Sequence, residues 1–391
     1  MPTWLRVGLG LFAIAFGANV FAPLLPVYQR LDGLSTTQVT WIFAVYVGGL
    51  VPALLIGGPL SDKIGRRALI RPALICSAVG SLVIIGGGLG PNWLLSIGRF
   101  IAGAGVGFVM AAGAAWLKQV STDSPQAGAR RATIALSAGF GGGPLVGGIV
   151  AEWIPNPDIW PFLIHLILLC VITPLIWTAP SPQVLGAARR RLFAKTALSP
   201  RFIWTVAAWA PWVFGTATIS FATLTSLVAK ETPFPIAYTG FIGATTMLTG
   251  VAVQPLATKL GNGYVPPAFV GLSAATAGLI LGGGVALTLD PWLLIPTSML
   301  LGASYGTMMV SGLREVEQIA PPEELGALIA VFYSLTYVGF FAPFALSILG
   351  PWIGYANCLF IGAAITAGSI VPVTRVVRKA AAEETAAEKR A

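Results

Sequence analysis

The sequence predicts an all-α membrane protein of twelve transmembrane helices, arranged as two pseudo-symmetric bundles of six. Three observations lead there. The 391 residues are 56% hydrophobic and only 9% charged, whereas soluble domains carry about 25% charged residues. Twelve apolar runs approach the ~20 residues needed to cross a ~30 Å hydrocarbon core. Lipid offers the backbone no hydrogen-bond partners, so such runs must be helices. The net charge of +9 is dispersed over short intervals and the tail, with no aromatic-interleaved basic patch, so nucleic acid is not an expected partner. Cys76, Cys170 and Cys358 stand alone in apolar runs and indicate neither a disulfide framework nor a metal site. His165 is the sole histidine, and no Ser/His/Asp set assembles around it. The expectation is a protein that is not an enzyme and needs no cofactor or metal.

In chain order, the first span reads from Trp4 to Tyr28. It is longer than the apolar region of a signal peptide and another span follows at once, so it is expected to be retained. The others read as 37–60, 68–89, 93–117, 130–152, 160–179, 202–229, 237–257, 266–288, 291–312, 326–349 and 352–374. Pro180 to Arg201 is the longest polar interval and divides the spans six and six. The expected units are 1–179, a linker 180–201, 202–378 and a tail 379–391. The run Arg189-Arg190-Arg191 in the linker reads as a solvated anchor or a lipid-headgroup site.

Charge sets the expected orientation. With both termini inside, the inner face carries 20 of the 23 basic residues: Arg6, Lys63, Arg66, Arg67, Arg71, Lys118, Arg130, Arg131, Arg189, Arg190, Arg191, Lys195, Arg201, Lys259, Arg314, Arg375, Arg378, Lys379, Lys389 and Arg390. Arg30 and Lys230 fall outside, and Arg99 lies within a span. Basic residues concentrate on the cytoplasmic side of membrane proteins, so cytoplasmic termini follow, and the short loops suggest a bacterial inner membrane.

The halves echo one another. Gln254-Pro255-Leu256-Ala257-Thr258-Lys259-Leu260-Gly261 repeats Gly58-Pro59-Leu60-Ser61-Asp62-Lys63-Ile64-Gly65 at an offset of 196. Gly302, Gly306, Met309 and Gly312 repeat Gly103, Gly107, Met110 and Gly113 at an offset of 199. In the second copy Thr258 replaces Asp62, and Asn262 and Gly263 stand where Arg66 and Arg67 would be.

The stretch from Gly58 to Arg67 reads as a short loop between spans two and three. Gly65 permits a tight turn, Lys63, Arg66 and Arg67 pin it to the inner face, and Asp62 supplies one counter-charge. The basic residues alone read equally well as an anchor. The ten residues together resemble, position for position, the loop between helices two and three of the major facilitator superfamily. That resemblance covers essentially the whole chain. It implies rocker-switch alternating access, with a small-molecule site near the midplane between the halves. It also implies that Asp62, Gly58, Gly65, Arg66 and Arg67 gate the cytoplasmic side, and that the protein is a monomer.

Arg99 lies about six residues inside span four, where a charge is costly unless paired or facing water. It either snorkels to the outer headgroups or serves function. Followed by spaced glycines, it resembles the second motif of the superfamily, which proton-coupled members are thought to use in proton transfer. Span five carries Gly139, Gly143 and Gly147 at four-residue spacing, a stripe for close helix approach. With Pro144 and Gly148 it resembles the antiporter motif of drug–proton exporters. Its echo, Ala342-Pro343, keeps the proline and loses the glycines.

Asn19 stands where some of the multidrug exporters this stretch resembles have an aspartate. Every Asp and Glu falls in a loop or near a span end; Asp32, Glu152, Asp158, Glu231 and Asp290 lie outside. Asp32 and Glu152 are the candidates to pair with Arg99, and Asp32 is the expected coupling carboxylate. By resemblance, Asn19, Tyr46, Trp209, Trp212, Tyr305, Met308, Tyr333 and Tyr337 line the cavity, while Trp41 and Trp93 fit an interfacial belt. So few internal charges suit apolar, weakly polar or cationic substrates. The resulting expectation is a proton-coupled exporter of drug-like or lipophilic molecules. An uptake symporter or facilitator for a sugar or other metabolite, and a non-transporting membrane scaffold or receptor, are the alternatives.

Overall fold

A computed structural model of the chain describes residues 1–123, 127–181, 194–260 and 267–388, the side chains of Asp62 and residues 375–388 excepted. Twelve helices are long and apolar enough to cross a membrane, and no strand occurs among the described residues. The first half holds α1 (Thr3–Leu31), α2 (Thr36–Ile64), α3 (Arg66–Leu89), α4 (Trp93–Gln119), α5 (Ala127–Trp153) and α6 (Trp160–Trp177). The second holds α7 (Pro200–Glu231), α8 (Pro235–Leu260), α9 (Pro267–Thr288), α10 (Pro291–Ile319), α11 (Leu325–Ile353) and α12 (Tyr355–Thr374). Arg189, Arg190 and Arg191, and with them most of the expected linker, lie outside the described residues.

Local chemistry fixes the helix ends. α7, α8, α9 and α10 begin on proline, whose missing N–H is no loss in a first turn. Ser35 and Gln38 form a capping box at α2: the Gln38 N–H donates to Ser35 Oγ (3.2 Å) and the Ser35 N–H to Gln38 Oε1 (2.8 Å). The stretch expected as a loop between spans two and three is largely helix. α2 continues through Ile64, and the whole turn is Gly65, at φ +93° and ψ 153°, before α3 starts at Arg66. Only glycine enters that region without strain.

The halves share a packing plan. Gly103 and Gly107 of α4 admit the α2 backbone at the Tyr46 and Leu50 carbonyls; Gly302 and Gly306 of α10 admit α8 at the Thr246 and Gly250 carbonyls. α1 and α7 are the two most buried spans and form the centre. Neither is a regular helix. α1 loses α geometry after Asn19 and passes through a 3-10 turn at Ala22–Leu24, around Pro23. α7 contains π segments at Ile203–Ala207 and Ile219–Leu224. α8 is interrupted once, at Val253.

A methyl group on Gly306 would fall on the Gly250 carbonyl, whereas one on Gly8 meets nothing within 4 Å. Gly306→Ala should cost about 1–3 kcal/mol, as overpacking does. In detergent its thermal midpoint should drop below wild type while that of Gly8→Ala does not; equal midpoints would contradict the packing plan.

Candidate functional site

Arg99 turns inward. Only 1% exposed, it donates from Nη1 to the Ala18 carbonyl of α1 (3.0 Å) and from Nη2 to the Phe43 carbonyl of α2 (3.2 Å). Its guanidinium also lies over the rings of Tyr46 (4.4 Å), Phe21 (4.8 Å) and Phe43 (5.5 Å). Carbonyl dipoles and aromatic faces thus compensate the charge. Snorkelling is ruled out, and so is the expected ion pair: among the described residues no carboxylate reaches Arg99. Glu152 is engaged elsewhere, accepting from the Ile236 (2.7 Å) and Ala237 (3.0 Å) N–H groups at the start of α8. There a carboxylate satisfies open donors and the positive end of the helix dipole. Asp32 faces Asp158 at the end of α1, and burial together with that second carboxylate pushes its carboxyl above the ordinary value.

Beyond Arg99 lies a packed aromatic cluster shared by both halves. Phe43 stacks on Phe340 at 5.2 Å, and Tyr46 faces Phe340 at 5.8 Å. Phe214 of α7 stacks on Tyr337 at 4.6 Å and meets Tyr305 at 5.2 Å. Tyr333, one turn before Tyr337, packs on Phe332 at 5.8 Å. Tyr46, Tyr305 and Tyr337 are thus brought together. Three other residues are placed elsewhere. Trp209 is fully buried between Phe332 and Gly312, its indole N–H bound to the Thr205 carbonyl of its own helix. Trp212 lies against Gly362 of α12, and Met308 packs on Gly271 of α9. Phe43, Phe214 and Phe340 escaped the sequence reading, which favoured polar aromatics. A signal existed: Phe43 with Tyr46 and Tyr337 with Phe340 are spaced i, i+3 on one helix face.

The glycines of α5 divide into two faces. Gly139, Gly143 and Gly147 admit the α1 backbone at Phe12, Phe16 and Val20. Pro144 and Gly148 instead meet Gly240 of α8 in the other half. Pro144 leaves the Phe140 carbonyl without its usual i+4 donor, and the Asn19 carboxamide donates to that carbonyl at 3.1 Å. The second half repeats the arrangement 199 residues on. Pro343 strips the donor from the Gly339 carbonyl, and the Thr218 hydroxyl of α7 donates to it at 3.1 Å. Asn19 is thus a bond between helices rather than a cavity residue.

The halves meet toward the face away from the chain ends. Besides Glu152 and the Gly148–Gly240 contact, Thr40 donates to Ser347 (3.2 Å) and Trp153 packs on Phe234 (5.3 Å). Trp41, expected as a belt residue, packs on Phe344 (5.3 Å) while remaining 45% exposed.

The sequence profile described as Major Facilitator Superfamily matches residues 7–340. The chain belongs to that superfamily. With twelve helices long and apolar enough to cross a membrane, it is a multi-pass membrane member of that superfamily. Part of it is similar to the quinolone resistance protein NorA of Staphylococcus aureus strain MRSA252, 30% identical over 146 residues, 36% of each chain. It is also similar to the lincomycin resistance protein of Streptomyces lincolnensis, 29% identical over 163 residues, 41% of this chain and 32% of the relative. The matched region thus spans about a third of each relative's length.

At the face bearing the chain ends, several basic residues of this superfamily member bind backbone or hydroxyl oxygens. Arg66 donates to Ser61, whose hydroxyl caps the Gly58 carbonyl (2.8 Å). Arg67 reaches the Ala179 carbonyl (3.2 Å), Arg71 that of Trp177 (2.9 Å) and Arg6 that of Leu175 (2.7 Å). Three arginines thus satisfy open carbonyls at the end of α6. In the second half Arg314 donates to the Thr258 carbonyl (3.0 Å), at the position echoing Asp62. The Asp62 side chain itself lies outside the described residues.

Asn19→Ala and Thr218→Val should each lower stability by about 1 kcal/mol, the scale of interhelical hydrogen bonds in membranes. Asn19→Asp can donate to the Phe140 carbonyl only while protonated, so its stability should fall as pH rises. Thermal unfolding between pH 5 and pH 8 checks the sign, and a pH-independent Asn19→Asp midpoint would contradict the assignment.

Proposed function

We propose that this transporter is a proton-coupled exporter of drug-like or lipophilic molecules, resident in the cell membrane, with both termini cytoplasmic. The observation that carries the reading is Arg99, a fully buried cation with no carboxylate partner among the described residues, at the edge of an aromatic cluster between the halves. Aromatic faces and a few hydroxyls suit flat, apolar or cationic molecules, and among the described residues no second cation is at hand to hold phosphates or dicarboxylates. The antiporter-like face of α5 and the resistance proteins to which the chain is similar support export. On this reading the clustered bonds at Glu152, Thr40 and Trp153 close the outer side, and rocking exchanges them for contacts around Asp62 and Gly65. The rocking units are 1–179 and 202–378, joined by the linker 180–201 and followed by the tail 379–391, in a monomer surrounded by lipid. An uptake symporter is the second reading, favoured by the absence of a carboxylate at position 19.

The test uses proteoliposomes with an imposed pH gradient and ethidium, norfloxacin or lincomycin as cargo. Export predicts that at least one compound moves against the proton flux, and that Arg99→Ala lowers this movement at least tenfold. Movement with the proton flux would establish uptake symport, and downhill movement indifferent to the gradient a facilitator. Asp62→Asn should insert normally yet lower transport; unchanged transport would make the α2–α3 turn an anchor only.

A further inference from the structure

Where the halves meet, at the face away from the chain ends, they leave a groove of about 580 Å³, within the size range of small-molecule sites. Ile149 and Trp153 of α5 line it from the first half; Phe234, Ala237 and Tyr238 of α8 and Trp292 of α10 line it from the second. The groove therefore shares residues with the contacts between the halves. Trp153 packs on Phe234 at 5.3 Å, and the Ala237 N–H is one of the two that donate to Glu152 (3.0 Å).

The polar groups of the lining are spent, with one exception. The Tyr238 hydroxyl donates to the Pro291 carbonyl and the Thr232 hydroxyl to the Ala229 carbonyl (2.6 Å). Glu231, at the end of α7, is the one charged side chain of the lining among the described residues; its neighbour Lys230 does not line the groove. Glu231 is exposed, and among the described residues no hydrogen bond or ion pair engages its carboxylate. Aromatic faces beside an open carboxylate attract a cation, and the rest of the lining accepts only apolar groups. A phospholipid is a poor match, because its phosphate would lie against that carboxylate and like charges repel.

We propose that this groove binds a lipophilic monocation, a quaternary ammonium or phosphonium compound dissolved in the adjoining leaflet, and that the occupant holds the halves together at this face. A molecule touching α5 and α8 at once gains all its contacts only while the halves meet. It therefore binds that state more tightly and shifts the population toward it. Transport is inhibited from outside the aromatic cluster, with no competition for the interior. The binding site stands on the groove alone. The inhibition rests on the reading above, in which the contacts at Glu152, Thr40 and Trp153 break as the protein cycles.

Tetraphenylphosphonium is the probe, its binding to the full chain in phosphatidylcholine nanodiscs measured against empty discs. Binding should saturate, and Glu231→Gln and Trp292→Ala should each weaken it about threefold, the scale of one exposed charge or cation–π contact. Trp292 is 78% exposed, so its removal leaves the fold intact. Tetraphenylborate, of the same shape and opposite charge, should bind about tenfold more weakly. Unchanged tetraphenylphosphonium affinity in either variant, or equal affinity for the two ions, overturns the site. Hydrogen exchange reads the second part, because the Ile236 and Ala237 N–H groups are held by Glu152 only while the halves meet. Saturating probe should slow their exchange about threefold in the wild type, and at the same concentration less in Glu231→Gln. If the probe binds through Glu231 and Trp292 but leaves that exchange unchanged, the holding of the halves is overturned and the site stands.

Discussion

A proline within a membrane helix strands one carbonyl, and hydrocarbon contains no water to take it. This protein meets that constraint twice, at equivalent places. Asn19 of α1 donates to the carbonyl stranded by Pro144 of α5, and Thr218 of α7 to the one stranded by Pro343 of α11. Much of the interior depends on these two bonds, because α1 and α7 are its most buried helices. Ala18, which receives Arg99, is the residue next to Asn19. Phe214, at the heart of the aromatic cluster, lies one helical turn before Thr218. Fixing the two central helices fixes the cation and the rings together.

The same economy governs the arginines. Arg6, Arg67, Arg71, Arg99 and Arg314 all bind backbone carbonyls, while Arg131 with Asp123 and Arg201 with Glu315 (2.9 Å) form ion pairs. A guanidinium with its five donors suits this use better than an ammonium. Residues that read in the sequence as topological anchors therefore also finish helices.

The number, order and approximate limits of the twelve spans were legible, because hydropathy over twenty residues is a strong signal and lipid leaves the backbone few alternatives. The repeat was legible for the same reason that it folds: glycines recur wherever one backbone presses on another. Individual side chains were less so. A wedge such as Trp209 and a clustered ring such as Tyr337 have equal claims in one dimension, and the heading of Trp209 follows the π segment at Ile203–Ala207, which no periodicity announces. The role of Asn19 was hidden because its partner is a main-chain atom 121 residues away. The turn at Gly65 was overestimated because helices extend past the apolar stretch into the charged interface.

The interruption of α8 at Val253 carries a further consequence. Measured at the glycine contacts, α2 and α8 correspond at an offset of 200, Leu50 to Gly250; measured at the end motif they correspond at 196, Gly58 to Gln254. Four residues present in one copy have no counterpart in the other, and the mismatch falls on either side of that break. Four is close to the 3.6 residues of one helical turn. Losing a whole turn shortens a helix while returning the remainder to nearly its former heading, so neighbours on both sides keep the surfaces they had. After duplication, the two copies were thus free to diverge in length by turns without surrendering their shared architecture.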